Sequence, residues 1–148
     1  MSQFKLYLDG DKYFRGVLTE PPRYRTILYK NKPYRLYFPE LQFHVCMARS
    51  SEIYEVVGYV LLNSGDFVPL LPNVYVAGHI CLGKPFKGFS PKQVTLDAVN
   101  YFWQSGFTGE FGYKDMEENF LFYLKRGVVV LTHLVATPPK WGEEIEAY

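Results

Sequence analysis

One cysteine lies among residues that could activate its sulfur for nucleophilic attack. Cys81 follows His79 in a glycine-rich stretch, and Lys84 and Lys87 come shortly after it. The thiolate is the reactive form of cysteine, and neighbouring positive charge favours that form. His79 could act electrostatically or carry a proton. Asn73, further upstream, has a side-chain amide that can stabilise an oxyanion, and these are the residue types of acyl transfer through a cysteine thioester.

Each of these residues also has a structural interpretation. Asn73 could simply hold its loop through hydrogen bonds to the backbone. Unpaired cysteines are most often buried, and this is the interpretation we favour for Cys46, on a predicted strand. A further alternative is a zinc site, because the pairs His44/Cys46 and His79/Cys81 would each place two ligands on one face of a strand.

The segment around Cys81 resembles the active-site segment of ubiquitin-conjugating enzymes. Pro72-Asn73 matches the last two residues of that family's His-Pro-Asn tripeptide, and residues 78–82, Gly-His-Ile-Cys-Leu, match its cysteine block. Residues 89–91, Phe-Ser-Pro, resemble the motif that opens the family's next helix. The chain is also similar to a divergent bacterial branch, the PRTRC system protein B group. That likeness lies in Pro72-Asn73-Val74, in residues 78–83 and in residues 102–108, Phe-Trp-Gln-Ser-Gly-Phe-Thr.

The resemblance implies a fold, an activity and partners. The implied fold is the α+β ubiquitin-conjugating-enzyme-like (UBC) fold, a meander of antiparallel strands followed by an irregular active-site segment and C-terminal helices. The implied activity is to carry a ubiquitin-like modifier as a thioester on Cys81 and pass it to an amine, with Asn73 and His79 as candidate catalytic residues. The implied partners are a ThiF-like activating enzyme, a β-grasp modifier and a JAB-type peptidase. A UBC-fold interaction module that has lost transfer is the first alternative, and a zinc-stabilised structural protein is the second.

The chain departs from the family pattern at several places. Leu71 stands where the classical enzymes have His, and Gly83 replaces the usual acidic residue after Cys-Leu. Strand-like sequence occupies the place of the N-terminal helix that classical enzymes present to the activating enzyme. How an activating enzyme would dock therefore does not carry over.

Alternating apolar residues in the first 62 positions predict the strands that would support this segment. In one of them Leu41, Phe43, Val45 and Met47 share a face, with Gln42, His44 and Cys46 on the other. Between two further strands, residues 30–33 suggest a hairpin. Its Tyr- and Arg-rich sequence, from Arg23 to Arg35, could suggest stacking on single-stranded nucleic acid, but with a formal charge of +1 we favour a solvated strand face whose aromatic side chains pack inward. The predicted strands are Phe4–Leu8, Tyr13–Thr19, Tyr24–Tyr29, Tyr34–Phe38, Leu41–Ala48 and Ile53–Leu62.

The rest of the chain predicts an irregular segment and two helices. Residues 63–91 hold many Gly and Pro residues but also apolar anchors, so we expect them to be ordered and packed. Ser90 followed by Pro91 and Gln93 predicts a helix start, with Gly106 as the stop. A second helix should run from Asp115 to Gly127, and residues 128–135 should be extended. We expect one domain over residues 1–140 and a loose acidic tail over 141–148.

Composition bounds the function classes. The 148-residue chain is 48% hydrophobic and 21% charged, with 13 Tyr, 12 Phe and 2 Trp, so it can form one substantial core. Its formal charge of +1 argues against binding nucleic acid through bulk positive charge. No signal peptide or membrane span is evident, and two cysteines are too few for a disulfide scaffold. We expect a soluble cytoplasmic protein that needs no cofactor or metal and binds neither nucleic acid nor membrane.

Overall fold

The computed structural model describes residues 2–58, 60–65, 67–69, 71–72, 74, 78–80, 82–105, 107, 114–129, 133–134 and 142–145. Within these residues the chain combines antiparallel strands with two helices, so the predicted α+β class is confirmed. The strands are β1 (Gln3–Leu8), β2 (Tyr13–Glu20), β3 (Arg23–Tyr29), β4 (Lys32–Phe38), β5 (Leu41–Ser50), β6 (Ile53–Val56), β7 (Val60–Asn63), β8 (Phe67–Val68), β9 (His79–Ile80), β10 (Lys87–Gly88), β11 (His133–Leu134) and β12 (Glu144–Ile145). The helices are α1 (Pro91–Gln104) and α2 (Lys114–Arg126).

The largest sheet has the strand order β10-β6-β5-β2-β1-β12, with β7 pairing with β5 and β9 pairing with β7. All eight residues of β2 pair with β5 rather than with β3. The predicted simple meander is therefore wrong at this point, because β3 and β4 leave the sheet as a separate hairpin. Pro21 and Pro22 stand between β2 and β3, and their lack of amide donors ends the ladder and lets the chain turn away.

The β3–β4 hairpin has the tight turn that the sequence suggested. Lys30 and Asn31 both have positive φ, 49° and 63°, which is the backbone of a two-residue type I′ turn. Tyr29 packs inward against helix α2. Tyr24 and Tyr37, however, lie exposed on the outer face. The expectation that the aromatic residues of this stretch pack inward is thus wrong for these two.

The strand predicted over Ile53–Leu62 is two strands. Gly58 has φ +74°, a left-handed conformation that breaks the extended run between β6 and β7. As a result, β6 pairs with the last residues of β5, while β7 pairs with its first residues, Gln42–His44. Because of this interruption β7 is a separate strand, and it pairs with β9, the strand that precedes Cys81.

Helix α1 begins as predicted and packs on one face of the large sheet. The Ser90 hydroxyl accepts a hydrogen bond from the Gln93 amide at 3.2 Å, and Pro91 occupies the first turn. The helix ends at Gln104 with Ser105 as its C-cap; Gly106, the predicted stop, lies outside the described residues. A side chain on Gly16 of β2 would collide with the helix, so glycine allows the close approach.

Helix α2 also matches its prediction, beginning at Lys114 and stopping before Gly127, which has φ +75°. Beyond it, the Tyr37 amide donates to the Gly127 carbonyl and the Val129 amide to the Tyr37 carbonyl, so the chain runs alongside β4. The tail expected to be loose is ordered at Glu144–Ile145, which pairs with β1 as β12. Among the helices of the described residues, none is long and apolar enough to cross a membrane.

A polar cluster ties the hairpin to the sheet and to α1. Glu20, at the end of β2, is 3% exposed. Its carboxylate accepts hydrogen bonds from Arg23 at 2.5 Å, Arg25 at 2.6 Å and the Trp103 indole N–H at 3.0 Å. The Arg25 guanidinium also lies 4.1 Å from the centre of the Trp103 ring. Burial opposes ionisation of Glu20, but these donors outweigh it and lower the pKa of the carboxyl.

Candidate active-site segment

The structure positions one of the three predicted catalytic side chains and the flanks of the other two. His79 is half-buried and begins β9. Cys81 and Asn73 lie outside the described residues. The geometry of the segment is therefore defined by the residues on either side of them.

The upstream flank is fixed in the core. Leu71 and Val74 are buried, at 0% and 3% exposure, and the Val74 amide donates to the Leu71 carbonyl at 3.1 Å. Pro72 is buried as well. The packing expected of the apolar residues between 63 and 91 is found at Leu71 and Val74, whereas Phe67 is exposed. Leu71, where the resembled family has His, thus serves as a packing residue.

The backbone conformation and close packing of Gly78 require a glycine at the start of residues 78–82. Its φ is +86°, and a Cβ added to it would lie 2.5 Å from the Leu62 carbonyl oxygen. The Leu62 amide donates to the Gly78 carbonyl at 2.8 Å. Only a residue without a side chain fits this close backbone contact, which brings the following residues onto the edge of β7.

Strand β9 then places His79 in a row with a second histidine. His79 pairs with Leu61 of β7, and Leu61 pairs with His44 of β5. Phe43, the neighbour of His44, contacts Phe102 of α1, so the three paired residues share the sheet face opposite that helix. The order across the sheet is His79, Leu61, His44.

His44 is held by a partner that sequence analysis did not single out. It is 2% exposed, and its Nε2 lies 3.0 Å from the Asn63 Nδ2, so the neutral ring accepts a hydrogen bond from the amide. Burial lowers the pKa of His44 to about 4, against a smaller raising effect of Asn63. The imidazole is therefore neutral at physiological pH. A polar residue, Asn63, at the end of an apolar strand was the sequence signal that could have indicated this partner.

Cys46 lies on the same face and is half-buried rather than fully buried as expected. Burial raises the pKa of its thiol, an effect that the nearby Arg15 charge opposes and the Asp9 charge adds to. A raised pKa reduces the thiolate fraction at neutral pH, so Cys46 is a poor nucleophile.

His44 and His79, the two histidines of the zinc alternative, lie on strands separated by β7, with Leu61 between the two positions. The Nε2 of His44 is engaged by Asn63 at 3.0 Å. In the described part of the chain, which leaves out Cys81, no group of three or more His, Cys, Asp or Glu residues is placed to hold a metal ion. Nothing in the described geometry favours the zinc alternative.

Downstream of Cys81, the chain forms one wall of a groove of about 490 Å³, and α1 forms the other wall. Lys84 and Lys87, the two predicted cationic neighbours, both line it. The Lys84 ammonium lies 4.8 Å from the centre of the Tyr101 ring, a cation–π contact. Asp97, Asn100 and Gln104 supply the polar groups of the helix wall, and sequence analysis missed all three. Their helical spacing was the signal that could have found them.

Comparison with known proteins identifies no relative: no protein-family model matches the chain, and no curated protein and no solved structure is significantly similar to it.

Proposed function

We propose that this protein is a ubiquitin-conjugating-enzyme-like carrier that accepts a ubiquitin-like modifier as a thioester on Cys81 and transfers it to an amine. The observation that carries the proposal is the order of the motifs along the chain. Pro72-Asn73, the Gly-His-Ile-Cys-Leu block and the Phe-Ser-Pro helix start follow an antiparallel sheet and precede helices. The proposal includes the fold: the α+β arrangement of strands and helices would be a UBC fold.

The geometry of the flanks supports the proposal. Leu71 and Val74 are buried upstream of the cysteine, the Val60–Ile80 pair lies immediately before it, and Phe86 is buried downstream of it. A site that must hold a thioester and exclude competing geometries needs such support on both sides. The glycine required at position 78 is the glycine that begins the resembled block.

Two acyl transfers make up the proposed reaction. In the first, the Cys81 thiolate attacks the carbonyl carbon of the modifier's C-terminal thioester on the activating enzyme, whose sulfur leaves as a thiolate. In the second, the acceptor amine adds to the same carbonyl, the carbonyl oxygen becomes an oxyanion, and Cys81 leaves as a thiolate when the C–N bond is complete. Asn73 would donate to the oxyanion, and His79 would take the proton that the amine loses.

The non-catalytic alternative rests on one observation. Leu71 replaces the family's His and is completely buried, so that position contributes packing and no polar chemistry. A protein that kept the fold but lost transfer would bind a modifier or an activating enzyme without forming a thioester.

Loading with a modifier separates these alternatives. The full chain is incubated with ATP, a ThiF-like activating enzyme and that enzyme's β-grasp modifier, and adducts are measured by intact mass spectrometry. Wild type should gain one modifier mass that a thiol reductant removes, and Cys81→Ser should gain none that the reductant removes. Cys46→Ser is the matched control and should load like wild type. Loss of loading in Cys46→Ser only, or binding of the partners without any adduct, would contradict the proposal.

A further inference from the structure

The outer face of the β3–β4 hairpin carries exposed aromatic and aliphatic side chains. Tyr24 and Tyr37 are directly opposite each other and are 55% and 37% exposed. Leu28 is exposed on the same face, four cross-strand pairs away, and Val128, which forms a bridge with Tyr37, is exposed beside that tyrosine. Exposed aromatic residues gathered on one face mark an interaction surface more often than scattered ones do.

The two tyrosine rings contact each other edge to face, and a guanidinium lies over one of them. Their ring centroids lie 5.0 Å apart with an interplanar angle of 65°. The Arg35 guanidinium lies 4.4 Å from the centre of the Tyr24 ring. Flat aromatic rings and guanidinium planes on a sheet surface are the groups on which unpaired nucleobases stack.

The charge of the hairpin fits the same kind of ligand. Residues 21–39 contain five Lys or Arg residues and no Asp or Glu. Arg23 and Arg25 pair with Glu20. Arg35 lies on the outer face, while Lys30 in the turn and Lys32 after it lie at the far end of the hairpin, toward the face of Tyr29. At about 3.3 Å per residue, the six residues from Tyr24 to Lys30 extend the surface by roughly 20 Å. The expectation of no nucleic-acid binding relied on the overall charge of +1 and on inward-facing aromatics, and neither describes this local surface.

We infer that this hairpin face binds single-stranded nucleic acid, with bases stacked on Tyr24 and Tyr37 and phosphates near Arg35 and, at the far end of the hairpin, Lys32. A duplex is disfavoured because its bases are already stacked on each other. An acidic polypeptide would pair with the lysines but would make little use of the rings. The inference does not depend on thioester chemistry, so the two proposals fail separately.

The test is fluorescence anisotropy of a labelled 12-nucleotide oligo(dT) or oligo(U), titrated with the full chain at low salt. Wild type should bind at least one of them with a dissociation constant of roughly 1–100 µM, the range of non-specific nucleic-acid binding. Tyr24→Ala should weaken binding about 5- to 150-fold, the loss associated with one stacked base, and Tyr24→Phe should retain it. Arg35→Gln should reduce the dependence of log Kd on log salt concentration by about 0.7, as one phosphate contact is lost.

Matched controls distinguish stacking from general attraction. Tyr13→Ala removes an exposed tyrosine, 42% accessible, at the start of β2, and should bind like wild type. Poly-glutamate and a 12-base-pair duplex should compete poorly. Thermal melting checks that each variant is folded. No saturable binding to either oligonucleotide, equal affinity for Tyr24→Ala and wild type, or competition by poly-glutamate or the duplex as strong as by the single strand would each overturn the inference.

Discussion

His44 and Asn63 form a hydrogen-bonded pair inside the protein, 3.0 Å apart, on the sheet face opposite α1. Both side chains are buried, and the histidine is kept neutral because burial penalises its charged form. At acidic pH such a pair lowers the stability of the folded protein. At neutral pH it fixes the relative position of β5 and β7, which carries the strand leading to Cys81.

We expect acid to destabilise the protein through His44. Its folded pKa of about 4 lies below the unfolded value of 6.5, so between these values the unfolded state binds the proton first. Stability is therefore full above pH 6.5 and is lost as pH falls toward 4, by on the order of 3 kcal/mol. Urea unfolding between pH 7 and 4.5 measures this loss.

The control for this prediction is His44→Gln, which keeps a neutral polar side chain and should flatten the pH dependence. Titration of the His44 ring by NMR gives an independent readout and should show no protonation down to pH 5. A ring that titrates near 6.5 in the folded protein would contradict the assignment.

Asn73 offers a second prediction at this scale. If its amide stabilises the oxyanion, Asn73→Ala should load normally but discharge to an amine about 10²–10³-fold more slowly. If Asn73 only supports the loop, both steps should weaken together and the melting temperature should fall. Single-turnover discharge of the preloaded protein measures the difference, with Cys81→Ala as the control that cannot load.

Alternation along β5 correctly predicted one buried row of side chains. It did not predict whether the other face of a strand is buried or exposed. Leu41, Phe43, Val45 and Met47 are all buried, as their spacing predicted. His44 on the other face is buried too, and Tyr24 on the hairpin is exposed. What covers each face comes from distant parts of the chain, and no local pattern records it.

At the scale of elements, the segment around the candidate nucleophile is held by short contacts between backbones. Gly78 and Gly83 both have left-handed backbone conformations, with φ of +86° and +73°, on either side of Cys81. Only Gly78 also faces another backbone at close range, whereas a Cβ on Gly83 would meet nothing within 4 Å. The two glycines therefore share a conformation but differ in packing.

This difference predicts unequal costs for the same substitution. Gly83→Ala should destabilise the protein by roughly 1–2 kcal/mol, the cost of a left-handed alanine. Gly78→Ala should cost at least about twice that, because the Leu62 carbonyl cannot move without breaking the β7–β9 ladder. Urea unfolding of both variants measures the difference, and equal losses would show that the close contact is relieved without strain.

Local signals predicted the elements more accurately than their pairing. The Ser90 cap and Gly127 gave the start of α1 and the end of α2 because capping chemistry lies within a few residues. The departure of β3 and β4 from the sheet, and the separate partners of β6 and β7, depend on contacts between residues far apart in sequence. Gly58 was visible as an interruption, but its consequence for pairing was not.

At the scale of the whole molecule, one carboxylate joins three parts of the fold. Glu20 belongs to the large sheet, Arg23 and Arg25 to the hairpin, and Trp103 to α1. The contact between Glu20 and Trp103 could not be predicted from sequence, since the two are 83 residues apart.

Glu20→Gln should therefore destabilise the protein by about 3 kcal/mol, because it leaves two arginines without their counter-charge. Asp9→Asn, which removes the more exposed partner of Arg15, should cost less than about 1 kcal/mol. The lowered pKa of Glu20 means that its contribution is present above pH 4.5 and is lost as pH falls below it. Unfolding followed by Trp fluorescence measures both variants, and similar losses would show that the junction carries no special weight.

Strand β12 has a consequence for how the protein behaves at high concentration. The Leu8 amide donates to the Glu143 carbonyl at 2.8 Å, and Glu144 and Ile145 pair with Tyr7 and Leu6. Backbone groups of β1 that would otherwise offer a template to a strand of another molecule are thereby occupied. The covering strand is only two residues long and carries an acidic side chain, features that discourage further growth of a sheet. Strand β12 thus protects the edge of β1 from pairing with a strand of another molecule.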